Sequence, residues 1–412
     1  MSSTHPRITR DGDTVVMPAF ATAHSHAFQR ALRGRTQRRL AAPGSFWSWR
    51  GLMYDLVSKL QPEDVLDISR FAFMELALSG VAAVGEFHYV HHQPDGTPYD
   101  DRTLLAEAVI QAAREVGIRI TLIRTAYLRA GHRQELSAAQ RRFCDATVDQ
   151  VLQDVESLRS RYREDSAVEI AVAAHSIRAV PITAARELAD YARNNDMPFH
   201  MHVAEQRREL QECTAEYGSP PVALLADHGV LDENLVAIHA THLSEDEVQA
   251  LGRAKATVCL CRTTERDLGD GLPRTSDLLR AGVKLCVGVD SHASSDAFEE
   301  IRAVELDERS RTEVRTVVAE APELLAMAME NGYDAIGMGA VWQADQAYLN
   351  ASHPALLGGD DSLLADNVVF AGSPGCVSRL SVNNRDLSYF IEGGRAKVLV
   401  KYHTAMKRLG LA

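Results

Sequence analysis

His24-Ser25-His26, His200-Met201-His202 with Glu205, His239 and Asp290 follow one another along the chain, each at or just after the end of an apolar run. The runs are Thr14 to Ala23, Met197 to Val203, Leu235 to Ile238 and Val283 to Val289, and each reads as a strand. Imidazole nitrogens and carboxylate oxygens are ligands for a divalent ion. Delivered by several strands, they converge where parallel strands share a mouth, as at the C-terminal face of a (β/α)8 barrel. One His-x-His alone is weak, because two alternating histidines on a strand face are often polar core residues. Four separated pieces in this order make a much stronger signal.

Alternation along a strand puts His24 and His26 on one face. His200 and His202 share a face in the same way, and His202 is preferred as the ligand because Glu205 follows three residues later, where the chain turns into a helix. Asp290 ends the last of these strands. His24, His26, His202 and Asp290 would then hold one divalent ion with an open position for water. The donor types suit zinc first and leave iron and manganese open. Such an ion makes a nucleophile of water near neutral pH. Asp290 is placed to accept the proton, Glu205 to carry protons to a leaving amine as a general acid, and His239 to polarise the reacting group.

The elements that must position these residues alternate short β-type runs with longer helical ones, the pattern of an α/β barrel. Further strands are expected at Val81 to Phe87, Ile118 to Tyr127, Val168 to Ala174 and Ala256 to Leu260, for eight in all. Helical periodicity covers Val65 to Leu78, Thr103 to Val116, Ala138 to Tyr162, Ile182 to Asn194, Glu205 to Glu216, Glu245 to Leu251, Ser276 to Ala281, Phe298 to Arg309 and Val314 to Met329. Ser244 and Glu247 form a capping-box pattern, and Gly80, Gly117 and Gly282 stand where helices should stop. Residues 17–330 are expected to form the barrel. Residues 1–16 and 331–412 are expected to form a small β-rich accessory domain, with strands at Asn367 to Phe370, Arg379 to Val382, Ser388 to Ile391 and Ala396 to Val400, and a helix at Thr404 to Leu409.

The 412 residues are 46% hydrophobic and 24% charged, enough for a barrel and a small second layer. The net charge of −12 and the absence of a basic block exclude a nucleic-acid binder. No apolar stretch approaches the ~20 residues of a membrane span, and the N-terminal residues lack a signal-like segment, so a cytoplasmic protein is expected. The six cysteines show no disulfide framework and read as free thiols.

This arrangement resembles the single-metal deaminase branch of the amidohydrolase superfamily. Flanking segments resemble its N-formimidoyl-L-glutamate deiminases: His24-Ser-His-Ala-Phe-Gln-Arg-Ala31, Ser45-Phe-Trp-Ser-Trp-Arg50, Glu86-Phe-His-Tyr-Val-His-His92, Ala174-His-Ser-Ile-Arg178, His200-Met-His-Val-Ala-Glu-Gln206, His239-Ala-Thr-His242, Thr263-Thr-Glu265, Leu268-Gly-Asp-Gly271 and Asp290-Ser-His292. The resemblance spans roughly residues 17–310. It implies hydrolysis of formimidoylglutamate to N-formyl-L-glutamate and ammonia, in histidine degradation. It also implies a dicarboxylate substrate clamped by Arg50 and Arg178, with Gln29, Tyr89 and His175 orienting it. Phe46, Trp47 and Trp49 are expected to pack a lid or an interface. His88, His91 and His92 are assigned no metal and are expected to shape the pocket around Tyr89.

Two departures stand out. Only about 23 residues precede His24, fewer than the resembling enzymes place there, so the C-terminal strands lack most of their expected partners. A reduced sheet, or a second copy of the chain in a homodimer, would cover the exposed edges. Arg262, Arg266 and Asp267, near the mouth of the seventh strand, also depart from the usual residue types there.

Overall fold

The computed structural model describes residues 6–38, 44–358, 360–387 and 395–412. Eight parallel strands make the barrel wall: Phe20–Ser25, Val81–His88, Arg119–Ala126, Val168–Ser176, Phe199–Val203, Leu235–His239, Thr257–Leu260 and Lys284–Val287. They neighbour one another in chain order, as helical crossovers between parallel strands require. Most are buried on both faces, which explains their near-continuous apolar sequence.

Closure is made at the segments that carry His24, His26 and Asp290. Ser25 bridges Asp290 in parallel. The Asp290 N–H donates to the His24 carbonyl at 3.0 Å, and the His26 N–H to the Asp290 carbonyl at 2.9 Å. Gly288 allows this approach, because a Cβ there would lie 2.8 Å from the His24 Cβ and 2.9 Å from its carbonyl oxygen.

The run Thr14 to Ala23 is two strands, not one. Thr14–Pro18 alternates partly exposed and buried residues and belongs to a separate antiparallel sheet, whereas Phe20–Ser25 is buried throughout and starts the barrel. Pro18, with no N–H to donate, ends the first strand. Ala19 then crosses between layers, its N–H donating to the Asp345 carbonyl at 2.9 Å. The small sheet runs in the order Thr9–Asp11, Thr14–Pro18, Gln346–Asn350, Val377–Val382, Arg385–Asp386. The short N-terminal segment therefore supplies two strands to the C-terminal ones. Buried Asp345 ties this sheet to the barrel, accepting from Arg119 at 2.7 and 3.1 Å, from the Tyr333 hydroxyl at 2.9 Å and from the Asn383 N–H at 2.9 Å.

The C-terminal part is more helical than its sequence pattern suggests. Asn367 to Phe370 lies in the helix Leu364–Ala371, and Ala396 to Val400 in the helix Arg395–Arg408. Short apolar runs fit a strand or a buried helix equally, and packing decides between them. In the second case Tyr402 stacks on Phe71, their ring centroids 4.1 Å apart. Ser388 to Ile391 lies outside the described residues. Ala138 to Tyr162 is also interrupted: a short turn at Ala139–Arg142 precedes a helix beginning at Val148, whose N-cap Thr147 accepts the Gln150 N–H at 3.2 Å. Only Ala321–Ala328 of the Val314 to Met329 run forms its helix.

Candidate active site

His24, His26, His202, His239 and Asp290 meet at the barrel mouth, all buried. The His24 and His202 Nε2 atoms lie 3.1 Å apart. Asp290 Oδ1 is 3.5 Å from His24 Nε2 and 3.3 Å from His26 Nε2. Main-chain carbonyls set the tautomers of two rings: His26 Nδ1–H donates to Phe87 at 2.9 Å, and His202 Nδ1–H to His175 at 2.9 Å. Their Nε2 lone pairs are thereby turned into the shared centre. Burial lowers the pKa of His24, His26 and His202, keeping them neutral and able to ligate. Neutral acceptors facing one another at this distance, with a carboxylate beside them, fit a divalent cation.

His200 lies outside this group. It shares a strand face with His202 but sits two residues deeper in the barrel, where its Nε2–H donates to the Ala335 carbonyl at 2.9 Å. A second cluster, His239, Cys261 and Asp290, reuses Asp290.

Glu205 sits beside the centre, 3.9 Å from His239 Nε2. Its backbone is held by Glu209, whose carboxylate accepts the N–H groups of Ala204 and Glu205 at 3.2 and 3.1 Å. Burial raises the Glu205 pKa to about 7, against the pull of His239, so the group can hold or release a proton near neutrality. Burial opposes charge on His239, but Glu205, Glu265 and Asp290 outweigh it and raise the ring to about 10. Ala204, His239, Ala240, Asp290 and His292 all have positive φ, so backbone strain gathers at the strand ends that carry this chemistry.

A cavity opens above these residues. Gln29, Arg50, Tyr89, His175 and Arg178 all line it. Gln29 Nε2 donates to the Tyr89 hydroxyl at 2.9 Å. Arg50 lies 4.4 Å from the Trp47 ring centroid and Arg178 6.0 Å from it. Among the described residues neither arginine forms an ion pair, though Glu209 and Glu205 lie near enough to Arg178 to favour its charge. The helix Phe46–Val57, which the sequence pattern did not reveal, brings Arg50, Phe46, Trp49 and Met53 to the rim. Tyr54, Tyr127, Phe143 and Glu209 are further lining residues that sequence reasoning missed. Tyr127 ends the predicted third strand and was legible as a strand-end polar group; Tyr54 and Phe143 come from segments without a chemical motif.

Two histidines of the Glu86–His92 segment bond to the chain itself: His91 Nε2 to the Thr125 carbonyl at 3.0 Å, and His92 Nε2 to the Cys144 carbonyl at 2.8 Å. Arg262 follows the end of the seventh strand, as expected, and is buried there against Glu265 and Asp307. Arg266 pairs with Asp307 and Glu299, and Asp267 accepts from Gln37.

Comparison with known proteins agrees with this geometry. The model of the amidohydrolase family matches residues 15–377. The chain belongs to the amidohydrolase family. A formimidoylglutamate deiminase of Pseudomonas aeruginosa is 35% identical to this amidohydrolase over 383 residues, covering 90% of this chain and 84% of that protein. The crystal structure of an amidohydrolase from Brucella melitensis superposes with a TM-score of 0.88 at 29% identity, over 98% of this chain and 96% of that one. An atrazine chlorohydrolase from Arthrobacter aurescens, complexed with zinc, shares the fold with a TM-score of 0.81 at 20% identity, over 96% of this chain and 88% of that one. No helix among the described residues is long and apolar enough to cross a membrane.

Proposed function

We propose that this amidohydrolase deaminates N-formimidoyl-L-glutamate, consuming water and yielding N-formyl-L-glutamate and ammonia, as a step of cytoplasmic histidine degradation. The observation that carries this reading is the pairing of floor and rim in one cavity. Two arginines that form no ion pair among the described residues share the cavity with a buried acid–base centre, as a small substrate with two carboxylates and one amidine-like head requires. The likeness to the Pseudomonas aeruginosa deiminase supports the same substrate.

His24, His26, His202 and Asp290 would hold one divalent ion, zinc in this reading; when bound it supplies a Lewis acid and activates water. Arg50 and Arg178 anchor the two carboxylates, which places the formimidoyl carbon over the floor. Gln29 and Tyr89, bonded to each other, and His175 orient that end of the substrate. Asp290 accepts the proton that water gives up as it adds to the carbon. Glu205 protonates the imine nitrogen in that step; the proton held by Asp290 then passes to the same nitrogen while the adduct's hydroxyl proton returns to Glu205, so ammonia leaves as the C–N bond breaks and the formyl carbonyl forms. His239, held cationic between Glu205 and Asp290, stabilises negative charge at the reacting centre.

The test is ammonia release from formimidoylglutamate, guanine and adenosine by the purified protein, with its metal content measured on the same sample. Selective turnover of formimidoylglutamate with one ion per chain is expected. Faster turnover of a ring substrate would replace this reading with a heterocycle deaminase.

A further inference from the structure

His239 is one end of a buried ionic chain that runs out through the barrel wall. Its Nδ1–H donates to Glu265 Oε1 at 3.2 Å. The same oxygen accepts the Cys261 N–H at 2.9 Å, and the other carboxylate oxygen is bonded by Arg262. Arg262 Nε and Nη2 both reach Asp307 Oδ2, at 2.9 and 2.7 Å. Arg266 closes the outer end on Asp307 Oδ1 at 2.8 Å. His239 is 1% exposed, and Glu265 and Arg262 are each 0% exposed. Arg262 and Glu265 stand three residues apart on one turn of the helix Arg262–Leu268, and Asp307 comes from the helix Ala297–Thr312 packed outside it.

A charged arginine inside a barrel wall is costly unless it is fully paired. Here both carboxylates it meets are placed to use it, and the chain they form ends on a ring at the reacting centre. A carboxylate on one imidazole nitrogen fixes the plane of the ring. With Nδ1 taken by Glu265, Nε2 is left facing Glu205 at 3.9 Å and Asp290 at 3.7 Å. The His239 backbone, at φ 72°, is itself strained, so the ring depends on a side-chain anchor to keep this direction.

We propose that Arg262 and Asp307 are positioning residues: through Glu265 they hold the His239 ring in its working orientation. Neither touches the cavity. The inference rests on the deiminase reading only for its choice of substrate.

The test uses Arg262→Met, Arg262→Lys and Asp307→Asn in the full, zinc-loaded chain. Partners that orient a working imidazole are typically worth about 10–100-fold, so kcat of Arg262→Met on formimidoylglutamate should fall by about that much while KM stays within about threefold. Arg262→Lys should recover part of the loss, and a crystal structure of Arg262→Met should show the His239 ring turned away from Glu265. Should Arg262→Met fail to fold, Asp307→Asn carries the test. Its carboxylate is 21% exposed, and it should lower kcat by a smaller factor at unchanged KM. Wild-type kcat in a folded Arg262→Met, or in Asp307→Asn if that alone folds, overturns the proposal. So does full recovery on adding excess zinc, which would confine Arg262 to supporting the metal centre. An inactive wild type would instead refute the deiminase reading, and the ring orientation in the variant structure would still decide the inference.

Discussion

At the cavity floor, His26 and His202 each commit a ring N–H to a main-chain carbonyl, and Asp290 is locked between the first and last strands by its own backbone bonds. At the rim, Arg50 and Arg178 rest beside the Trp47 ring, Arg50 carried by a helix and Arg178 by the segment following a barrel strand. Elsewhere, three buried arginines pair with carboxylates, Arg119 with Asp345, Arg124 with Asp145 and Asp154, and Arg262 with Glu265 and Asp307, while Arg142 is held by main-chain carbonyls. The floor is thus anchored largely by the main chain, while the rim arginines form no ion pair among the described residues. In the proposed function, the chemistry belongs to the floor and substrate choice to the rim.

The sharpest way to break that division is to disable the floor without touching the rim. Glu205→Gln should keep its metal and its substrate affinity yet lose about 10²–10⁴-fold in kcat, the usual worth of a general acid–base group. Metal analysis and binding titration on the same preparation would check this. Loss of the ion from that variant would move Glu205 into the ligand set.

Disabling the rim should do the opposite. Arg50→Ala or Arg178→Ala removes a charge-assisted partner worth roughly 1.5–3 kcal/mol, a drop of about ten- to a hundredfold or more in kcat/KM with metal content unchanged. A substrate analogue lacking one carboxylate should be nearly indifferent to one of the two variants. Additive penalties across this cycle would show that the arginines do not clamp the carboxylates.

A smaller effect tests the depth of the floor. His200→Gln should still load one ion per chain and keep turnover within a few-fold, because its ring faces the Ala335 carbonyl rather than the centre. Elemental analysis giving less than one ion would return His200 to the ligand set.

A separate effect, on stability rather than turnover, concerns a carboxyl in neither region. Glu300, bonded by Thr263, has its pKa raised by burial to about 8. Between the ordinary carboxyl range and pH 8 the folded chain holds this proton and the unfolded chain does not. The group therefore costs stability as pH rises through that window, by up to about 1.4 kcal/mol per unit. Glu300→Gln should gain Tm relative to wild type from pH 5 to 8, with the gap levelling off above pH 8. A constant gap would mean that Glu300 is ionised in the fold throughout.

Much of the floor was legible in the residue order. His24, His26, His202, Glu205, His239 and Asp290 stand at or beside strand ends, and in a parallel barrel all strands end at the same mouth. That follows from sequence alone, because continuous apolar runs, helix caps at Ser244 and Gly117, and alternation along each strand are local properties of the chain. Four things were left to tertiary structure. Thr14 to Ala23 divides between two sheets because Asp345, more than 300 residues away, receives Ala19. Arg395–Arg408 is helical because its apolar face meets Phe71 and its neighbours. Arg262 points into the wall because Asp307 waits on another helix. Arg50 reaches the rim because a helix without a catalytic motif carries it there. In the first three cases the deciding partner is distant in sequence, and pairing energy between distant groups leaves no mark on local periodicity.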